Sequence, residues 1–165
     1  DYLIAQIHAG VDTIMLFDSW GGVLSESAFG EFSHKYLAKV LTRIKLALPQ
    51  HQVPSIVFTK GGGVWLEQLN QLECDGLGID WTINIAKARS KTNKIIQGNL
   101  DPVILSVADR PTIKQQVTQI LNGYRDANNG NADGHIFNLG HGILPTAKPD
   151  NVAYLVDIVH ELSKR

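Results

Sequence analysis

Five short apolar runs, each followed by a segment with helical spacing, constrain the fold of this chain more than any other feature. Most of the runs are rich in Ile, Val, Leu or Phe and do not alternate with polar residues. Such runs are typical of strands that are buried in a parallel sheet. They lie at residues 13–17, 53–58, 76–79, 94–97 and 135–139.

The segments between the runs have the spacing of amphipathic helices. The clearest spans residues 25–47, where Ser25 or Glu26 could begin the helix and Pro49 ends it. Apolar residues recur three and four positions apart along one face of this helix, at Phe29, Phe32, Tyr36, Val40, Ile44 and Leu48. Further helices are predicted at 64–72, 82–88, 112–123 and 150–163, and a helix over 2–9 could lead into the first strand.

This order of elements, one helix followed by five strand–helix pairs, predicts a parallel α/β sheet with right-handed crossovers. A doubly wound sheet and a (β/α)8 barrel both fit the pattern, although five units are too few to close a barrel. The chain has 165 residues, begins with Asp1, and has its one methionine, Met15, inside an apolar run. We therefore expect it to be part of a longer protein. The polar segment 126–134 is predicted to be a mobile surface loop.

Composition narrows the class of protein. Apolar residues make up 44% of the chain and charged residues 19%, which predicts a globular domain, and the net charge of −1 does not favour nucleic-acid binding. No signal peptide and no membrane-spanning apolar run is found in the sequence. The single cysteine, Cys74, cannot form an internal disulfide and favours a reducing cytoplasm. No zinc-binding pattern and no G-x-S-x-G motif occurs.

Several polar residues directly follow the predicted strands, where functional side chains of parallel α/β folds are found. Asp18 and Ser19 follow the first strand, Asp80 the third, and Asn99 and Asp101 the fourth. Taken singly, a structural role is favoured for each: Asp18 or Ser19 in a turn, Asp80 as a helix N-cap, and Asn99 or Asp101 as a cap or turn. The Gly-rich segment 61–63 lacks the spacing of a nucleotide-binding loop and is interpreted as a close-packed turn.

His141 is the most distinctive of these residues. It follows the fifth strand and lies between Gly140 and Gly142, so little side-chain bulk surrounds it. Its ordinary pKa is close to neutrality, which suits ligand binding or proton handling. A structural or merely exposed histidine remains the alternative. The other histidines are interpreted as solvated or packed.

Taken together, the segments after the strands resemble the C-terminal half of uroporphyrinogen decarboxylases, in the family's order and spacing. The matching segments are FDSWGGVLS (17–25), FTKGGGVWLE (58–67), GLGIDWT (76–82), QGNLDP (97–102) and FNLGHGILP (137–145). The resemblance implies the last five β/α units of a (β/α)8 TIM barrel. Residues 1–165 would form a single partial domain that lacks the N-terminal strands of the barrel.

The resemblance also implies a function. These enzymes convert the four acetate side chains of uroporphyrinogen to methyl groups, giving coproporphyrinogen and CO2, without a metal or organic cofactor, and they form homodimers. Ser19 and His141 match two substrate-binding positions of the family. The family's arginine-bearing segment, an aspartate and a tyrosine belong to earlier strands. We therefore expect this chain alone to be inactive and to need the N-terminal part of the same barrel as a partner.

Two other functions remain open. A methyltransferase of the same barrel superfamily would move methyl groups between a corrinoid and a thiol with the help of zinc held by histidine and cysteine. Cys74, the one available thiol, precedes a predicted strand and so lies away from the reactive end. The second alternative is a non-catalytic half-barrel that serves as a binding module.

Overall fold

The computed structural model describes residues 1–50 and 53–164, which contain one parallel sheet of five strands. The strands are β1 (Ile14–Asp18), β2 (Ser55–Thr59), β3 (Gly76–Gly78), β4 (Ile95–Leu100) and β5 (His135–Leu139). Their order in the sheet is their order in the sequence, and every neighbouring pair is parallel. The predicted strands are confirmed. A doubly wound sheet would reverse its strand order at a switch point, so this sheet has the order of a TIM barrel.

Helices alternate with these strands as the sequence predicted. They are α1 (Tyr2–His8), α2 (Glu26–Phe29), α3 (Lys35–Ala47), α4 (Leu66–Leu69), α5 (Ile85–Arg89), α6 (Ile104–Val107), α7 (Arg110–Ala127) and α8 (Pro149–Leu162). A π-helical segment, Gly30–His34, joins α2 to α3, and short 3-10 helices lie at Gly21–Val23 and Gly62–Trp65. In the described ranges no helix has the length and apolarity needed to cross a lipid bilayer.

The helix start predicted at Ser25 or Glu26 is confirmed. The Ser25 hydroxyl accepts a hydrogen bond from the Ala28 amide, so Ser25 is the N-cap of α2. Helix α7 begins earlier than expected because Asp109 caps it and Pro111 occupies its first turn. The helix continues to Ala127 and includes the start of the segment predicted to be a loop.

One face of the sheet carries the core. Ile14, Leu16, Val57, Leu77 and Ile96 are buried and pack against side chains from the helices. Residues that alternate with them point the other way, because successive side chains of a strand face opposite sides of a sheet. On that second face Phe17 is 69% exposed and Ile136 is 41% exposed. In a TIM barrel, helices cover the outer face of the sheet and apolar side chains fill the interior. A sheet with helices on one face and exposed apolar side chains on the other therefore fits one segment of such a barrel.

The apolar stripe predicted along residues 25–48 lies only partly in the core. Phe29 is buried, but Phe32, Tyr36 and Val40 are exposed. The buried positions in the following turns are instead Ser33, Leu37 and Leu41. Phe32, Tyr36 and Val40 line a groove beside the free edge of β1, together with Leu3, Leu16 and Phe17. The sequence pattern identified the apolar residues correctly but could not show that part of the stripe faces an open groove.

A buried polar cluster joins α5 and α7 to the sheet. Nη1 of Arg89 donates to the Lys94 carbonyl at 2.9 Å and to the Tyr124 hydroxyl at 3.2 Å, and that hydroxyl donates to the Asp133 carbonyl at 2.8 Å. The Tyr124 ring stacks on His135 at 4.7 Å. Burial lowers the pKa of His135 below its usual value, because the charged form of the imidazole is less stable away from water.

Tyr124→Phe is expected to lower the free energy of unfolding by about 1–3 kcal/mol, since it removes one hydrogen-bond partner of the buried Arg89 guanidinium. Tyr154→Phe is the matched control, because Arg110 contacts the ring of Tyr154 and the ring is kept. The control is expected to change stability by less than about 0.5 kcal/mol. Equal effects of the two variants in urea denaturation would contradict a stabilising role for the Arg89–Tyr124 contact.

Candidate active site

The polar residues singled out in the sequence lie around one end of the sheet. Ser19 follows β1, Asp80 follows β3, and His141 follows β5. Because all five strands are parallel, these residues are at the carboxyl-terminal end of the sheet. TIM-barrel enzymes carry their active sites at this end.

Asp18 fixes the turn that presents Ser19. Its Oδ1 accepts hydrogen bonds from the Trp20 amide at 3.2 Å and the Gly21 amide at 2.9 Å. Its Oδ2 accepts a hydrogen bond from the Ser33 hydroxyl at 2.5 Å. The turn predicted for Asp18 is confirmed, with an additional bond to the π-helical segment. Ser19 is left exposed at the end of β1.

The Gly-rich turn after β2 packs directly on the turn after β1. The Gly22 amide donates to the Lys60 carbonyl at 3.1 Å, and a Cβ atom on Gly22 would lie only 2.2 Å from that carbonyl oxygen. Gly61 has a φ of 69°, a left-handed conformation that favours glycine. The interpretation of this segment as a close-packed turn is supported.

Asp80 has a different role from the predicted one. The N-cap of α5 is Asn84, whose Oδ1 accepts a hydrogen bond from the Ala86 amide at 2.9 Å. Asp80 is only 2% exposed, and its Oδ1 accepts from the amide and the hydroxyl of Thr82 at 2.9 and 2.6 Å. Its Oδ2 accepts from the amide of Gly61. The N-cap prediction was wrong because Asp80 instead links the loops that follow β2 and β3.

Asn99 also acts across loops. It lies inside β4 and not in a turn after it, and its Nδ2 donates to the carbonyls of Asp80 at 2.9 Å and Ile83 at 2.7 Å. The predicted cap or turn was therefore wrong for Asn99. It was correct for Asp101, whose Oδ1 accepts from the Val103 amide at 2.9 Å.

His141 is exposed at the mouth of a cavity of about 270 Å³ on the open face of the sheet. Its ring lies 6.1 Å from the Trp81 ring in a T-shaped arrangement. The other residues lining this cavity come from the strands and from the loop after β5; they are Met15, Phe17, Phe58, Ile79, Gln97, Asn138, Leu139, Gly142 and Ile143. The site is therefore mainly apolar, with polar groups concentrated on the side of β5.

Ser19 lines a different cavity, the groove of about 590 Å³ beside β1. Phe17 borders both cavities. Ser19 and His141 follow the two edge strands of the sheet, β1 and β5. The structure thus places the two residues at the same end of the sheet. That they face one substrate cleft stays a prediction.

Aromatic residues of the site were not identified from the sequence. Phe17 and Phe58 form an edge-to-face pair with ring centroids 5.9 Å apart on the open face. Each of the two is the next-to-last residue of its strand, where a side chain that points into the barrel reaches the cavity. This position could have identified them from the sequence. The apolar runs concealed this signal, because core and cavity residues have the same chemistry.

Cationic side chains are sparse around these cavities. The arginines that the structure describes lie on helices, at Arg43, Arg89, Arg110 and Arg125. No group of three histidine, cysteine or acidic side chains that could hold a metal ion occurs within residues 1–50 and 53–164. Arg165 lies outside the described residues.

Comparison with known proteins identifies the family. The sequence model of the family described as uroporphyrinogen decarboxylase (URO-D) matches residues 1–162. The chain belongs to the uroporphyrinogen decarboxylase family. The resemblance inferred from the five sequence segments is confirmed.

Curated relatives named uroporphyrinogen decarboxylase agree with this assignment. The chain is 47% identical over 167 residues to the protein of Cupriavidus necator, covering 100% of this chain and 45% of the relative. It is 48% identical to the protein of Nitrosococcus oceani, covering 98% of this chain and 44% of the relative. For Neisseria gonorrhoeae the identity is 48%, over 99% of this chain and 45% of the relative. The chain spans less than half the length of these relatives.

A solved structure supports the fold. A methyltransferase from Methanosarcina mazei superposes with a TM-score of 0.78 at 19% identity, covering 99% of this chain and 46% of that chain. At this identity the likeness shows a shared fold only. Together with the family assignment, it identifies the five-stranded sheet as a TIM-barrel-like α/β fold.

Proposed function

We propose that this chain forms the C-terminal part of a uroporphyrinogen decarboxylase active site. The whole enzyme would convert the four acetate side chains of uroporphyrinogen to methyl groups and release CO2. The single observation that carries this proposal is His141, which lies on a glycine-flanked loop at the mouth of a cavity in a chain of this family. The chain would be a partial domain, completed by N-terminal strands of the same barrel.

The proposed reaction needs no metal or organic cofactor. Protonation of a pyrrole ring creates an electron sink, the bond between the acetate CH2 and its carboxylate breaks, and CO2 leaves. A proton then adds to the CH2 carbon and gives the methyl group, and the ring releases the proton that it had taken up, so that one proton is consumed for each CO2 released. The protein must therefore bind a polyanionic substrate, position it and stabilise the cationic ring, which are tasks for preorganised polar groups.

Ser19 and His141 are proposed to bind substrate carboxylates. A hydroxyl and an imidazole can both donate hydrogen bonds to a carboxylate. Their placement on opposite edges of the sheet suits a large substrate that carries carboxylates around its rim. The arginines, the aspartate and the tyrosine of the family's site would come from the N-terminal strands, since the described arginines lie on helices.

A homodimer in the cytoplasm is part of the proposal. Trp20, Val23 and Val64 are 74%, 77% and 72% exposed, and all three lie in the turns and 3-10 helices that follow β1 and β2. Exposed apolar side chains in one region favour a protein–protein interface. Their position at the carboxyl end of the sheet supports a dimer in which the two clefts face each other. The free thiol of Cys74 favours a reducing compartment.

His141→Asn in the whole protein is expected to lower kcat/KM for uroporphyrinogen roughly ten- to hundredfold, because the shorter amide does not reach a carboxylate bound at the imidazole Nε2 and that hydrogen bond to a charged group is lost. The melting temperature should change little, because His141 is exposed and buries little area. Ser19→Ala should lower kcat/KM by less, since a neutral hydrogen bond contributes about 0.5–1.5 kcal/mol.

The order of acetate removal, followed by separating the partly decarboxylated products, is the second readout for both variants. A large drop in melting temperature for His141→Asn with normal turnover would show that His141 has a structural role. Normal activity of both variants would refute the assignment of these two residues.

The methyltransferase alternative lacks a suitable thiol at the site. Cys74 is buried just before β3, at the amino-terminal end of the sheet, whereas His141 is at the other end. Burial also raises the pKa of Cys74 and so disfavours the thiolate that binds metals. Stoichiometric zinc in the purified protein, with methyl transfer to a thiol, would favour this alternative over decarboxylation. A whole protein with neither activity would favour the binding module.

A further inference from the structure

The imidazole of His141 has few groups that could orient it. It lies between Gly140 and Gly142 and is exposed. Among the described residues no hydrogen bond to its ring is found, and its one ring contact is the T-shaped arrangement with Trp81, at 6.1 Å and 87°. A side chain this open would sample several rotamers unless a neighbour favoured one of them.

The loop that contains Trp81 packs closely against the loop that contains His141. A Cβ atom on Gly140 would lie 2.5 Å from the Trp81 amide nitrogen and 3.0 Å from the Asp80 carbonyl carbon. Only glycine permits this approach. The Gly140 amide donates to the Leu100 carbonyl at 2.7 Å, so the backbone before His141 is fixed on a second side.

Hydrogen bonds of buried polar groups fix the backbone on both sides of Trp81. The carboxylate of Asp80, the preceding residue, accepts hydrogen bonds from Thr82 and Gly61. The Asn99 amide donates to the Asp80 carbonyl at 2.9 Å. With its backbone fixed from both sides, Trp81 can act as a stable support, whereas His141 depends on that support.

We propose that Trp81 is a positioning residue for His141, holding the imidazole at the mouth of the cavity through their ring contact. The inference rests on the proposed function, in which His141 binds a substrate carboxylate. An edge-to-face aromatic pair of this kind changes an equilibrium by roughly three- to tenfold. Trp81 would thus raise activity by that factor without touching the reacting atoms.

The test compares Trp81→Leu and Trp81→Phe in the whole protein, each with and without His141→Asn. With His141 present, Trp81→Leu should lower kcat/KM for uroporphyrinogen about three- to tenfold, and Trp81→Phe should retain most of the activity. In the His141→Asn background, Trp81→Leu should have no further effect. The ring-proton NMR signals of His141 should shift in Trp81→Leu, because the ring current of the indole is lost.

The outcomes separate this inference from the proposed function. If Trp81→Leu lowers activity equally with and without His141, Trp81 has a general structural role and the inference is wrong. Full activity of Trp81→Leu, alongside a clear loss in His141→Asn, also overturns the inference but leaves the proposed function standing. No loss in His141→Asn alone refutes both.

Discussion

Purified by itself, the chain of 165 residues is expected to self-associate and to show no uroporphyrinogen decarboxylase activity. In the part of the chain that the structure describes, strands β1 and β5 are at the two edges of the sheet, so each leaves backbone hydrogen-bonding groups unpaired. Phe17 and Ile136 are open on one face, and Phe32, Tyr36 and Val40 line an open groove beside β1. Apolar surface of this kind, next to an unpaired strand, drives association.

Light scattering coupled to size exclusion would measure the mass of the isolated chain, and product chromatography would measure its activity. Adding the N-terminal part of a close relative should give a defined complex and restore turnover. The double variant Phe32→Lys, Val40→Lys is a control, since charges in the groove should reduce self-association of the chain alone and also prevent that complex. A stable monomer with substantial activity would contradict both the incomplete-barrel proposal and the allocation of catalytic groups to other strands.

Gly22→Ala is expected to destabilise the whole protein by about 3 kcal/mol, at the upper end of the usual cost of overpacking. The added Cβ atom would lie 2.2 Å from the Lys60 carbonyl oxygen and 2.6 Å from the Gly61 Cα atom. Both atoms belong to the backbone, so the clash cannot be relieved by a side-chain rotation. The turns after β1 and β2 would have to separate, and Ser19 would move with its turn.

Gly30→Ala is the matched control for this substitution. A Cβ atom on Gly30 would meet no atom within 4 Å, and its φ of −56° suits any residue. The greater helix propensity of alanine should leave stability unchanged or raise it by up to about 1 kcal/mol. The two variants would be compared by urea denaturation and by kcat/KM. Similar stability of both would show that the turns after β1 and β2 are less closely packed than described.

The sequence was sufficient for features that depend on neighbouring residues. Runs of apolar residues located the five strands, Ser25 and Pro49 marked the two ends of the helical region between β1 and β2, and Asp18 bonds the amides that directly follow it. Because parallel strands end at the same edge of a sheet, it also placed Ser19 and His141 at one end.

The sequence was insufficient wherever a side chain has partners that are distant in the chain. Asp80 was interpreted as a cap for the next helix, yet one of its partners is Gly61, 19 positions earlier. Asn99 donates to residues 16 and 19 positions away. Short polar side chains bond whichever backbone group is nearest in space, and local spacing does not reveal which groups the fold brings near.

The π-helical segment Gly30–His34 makes the turn after β1 more sensitive to the number of residues in this helix than to the chemistry of its solvent-facing side chains. A π-helical turn contains about one residue more than an α-helical turn. In an α-helix, successive residues are rotated by about 100° around the helix axis. Deleting one residue from this segment would leave seven steps between Phe29 and Leu37, about 700° in a regular α-helix, so both side chains would still face the core. The deletion would instead shift Ser33, whose hydroxyl donates a hydrogen bond to Asp18 Oδ2. Substitutions on the solvent side of this helix are tolerable, whereas a change in its length would disturb the turn that presents Ser19.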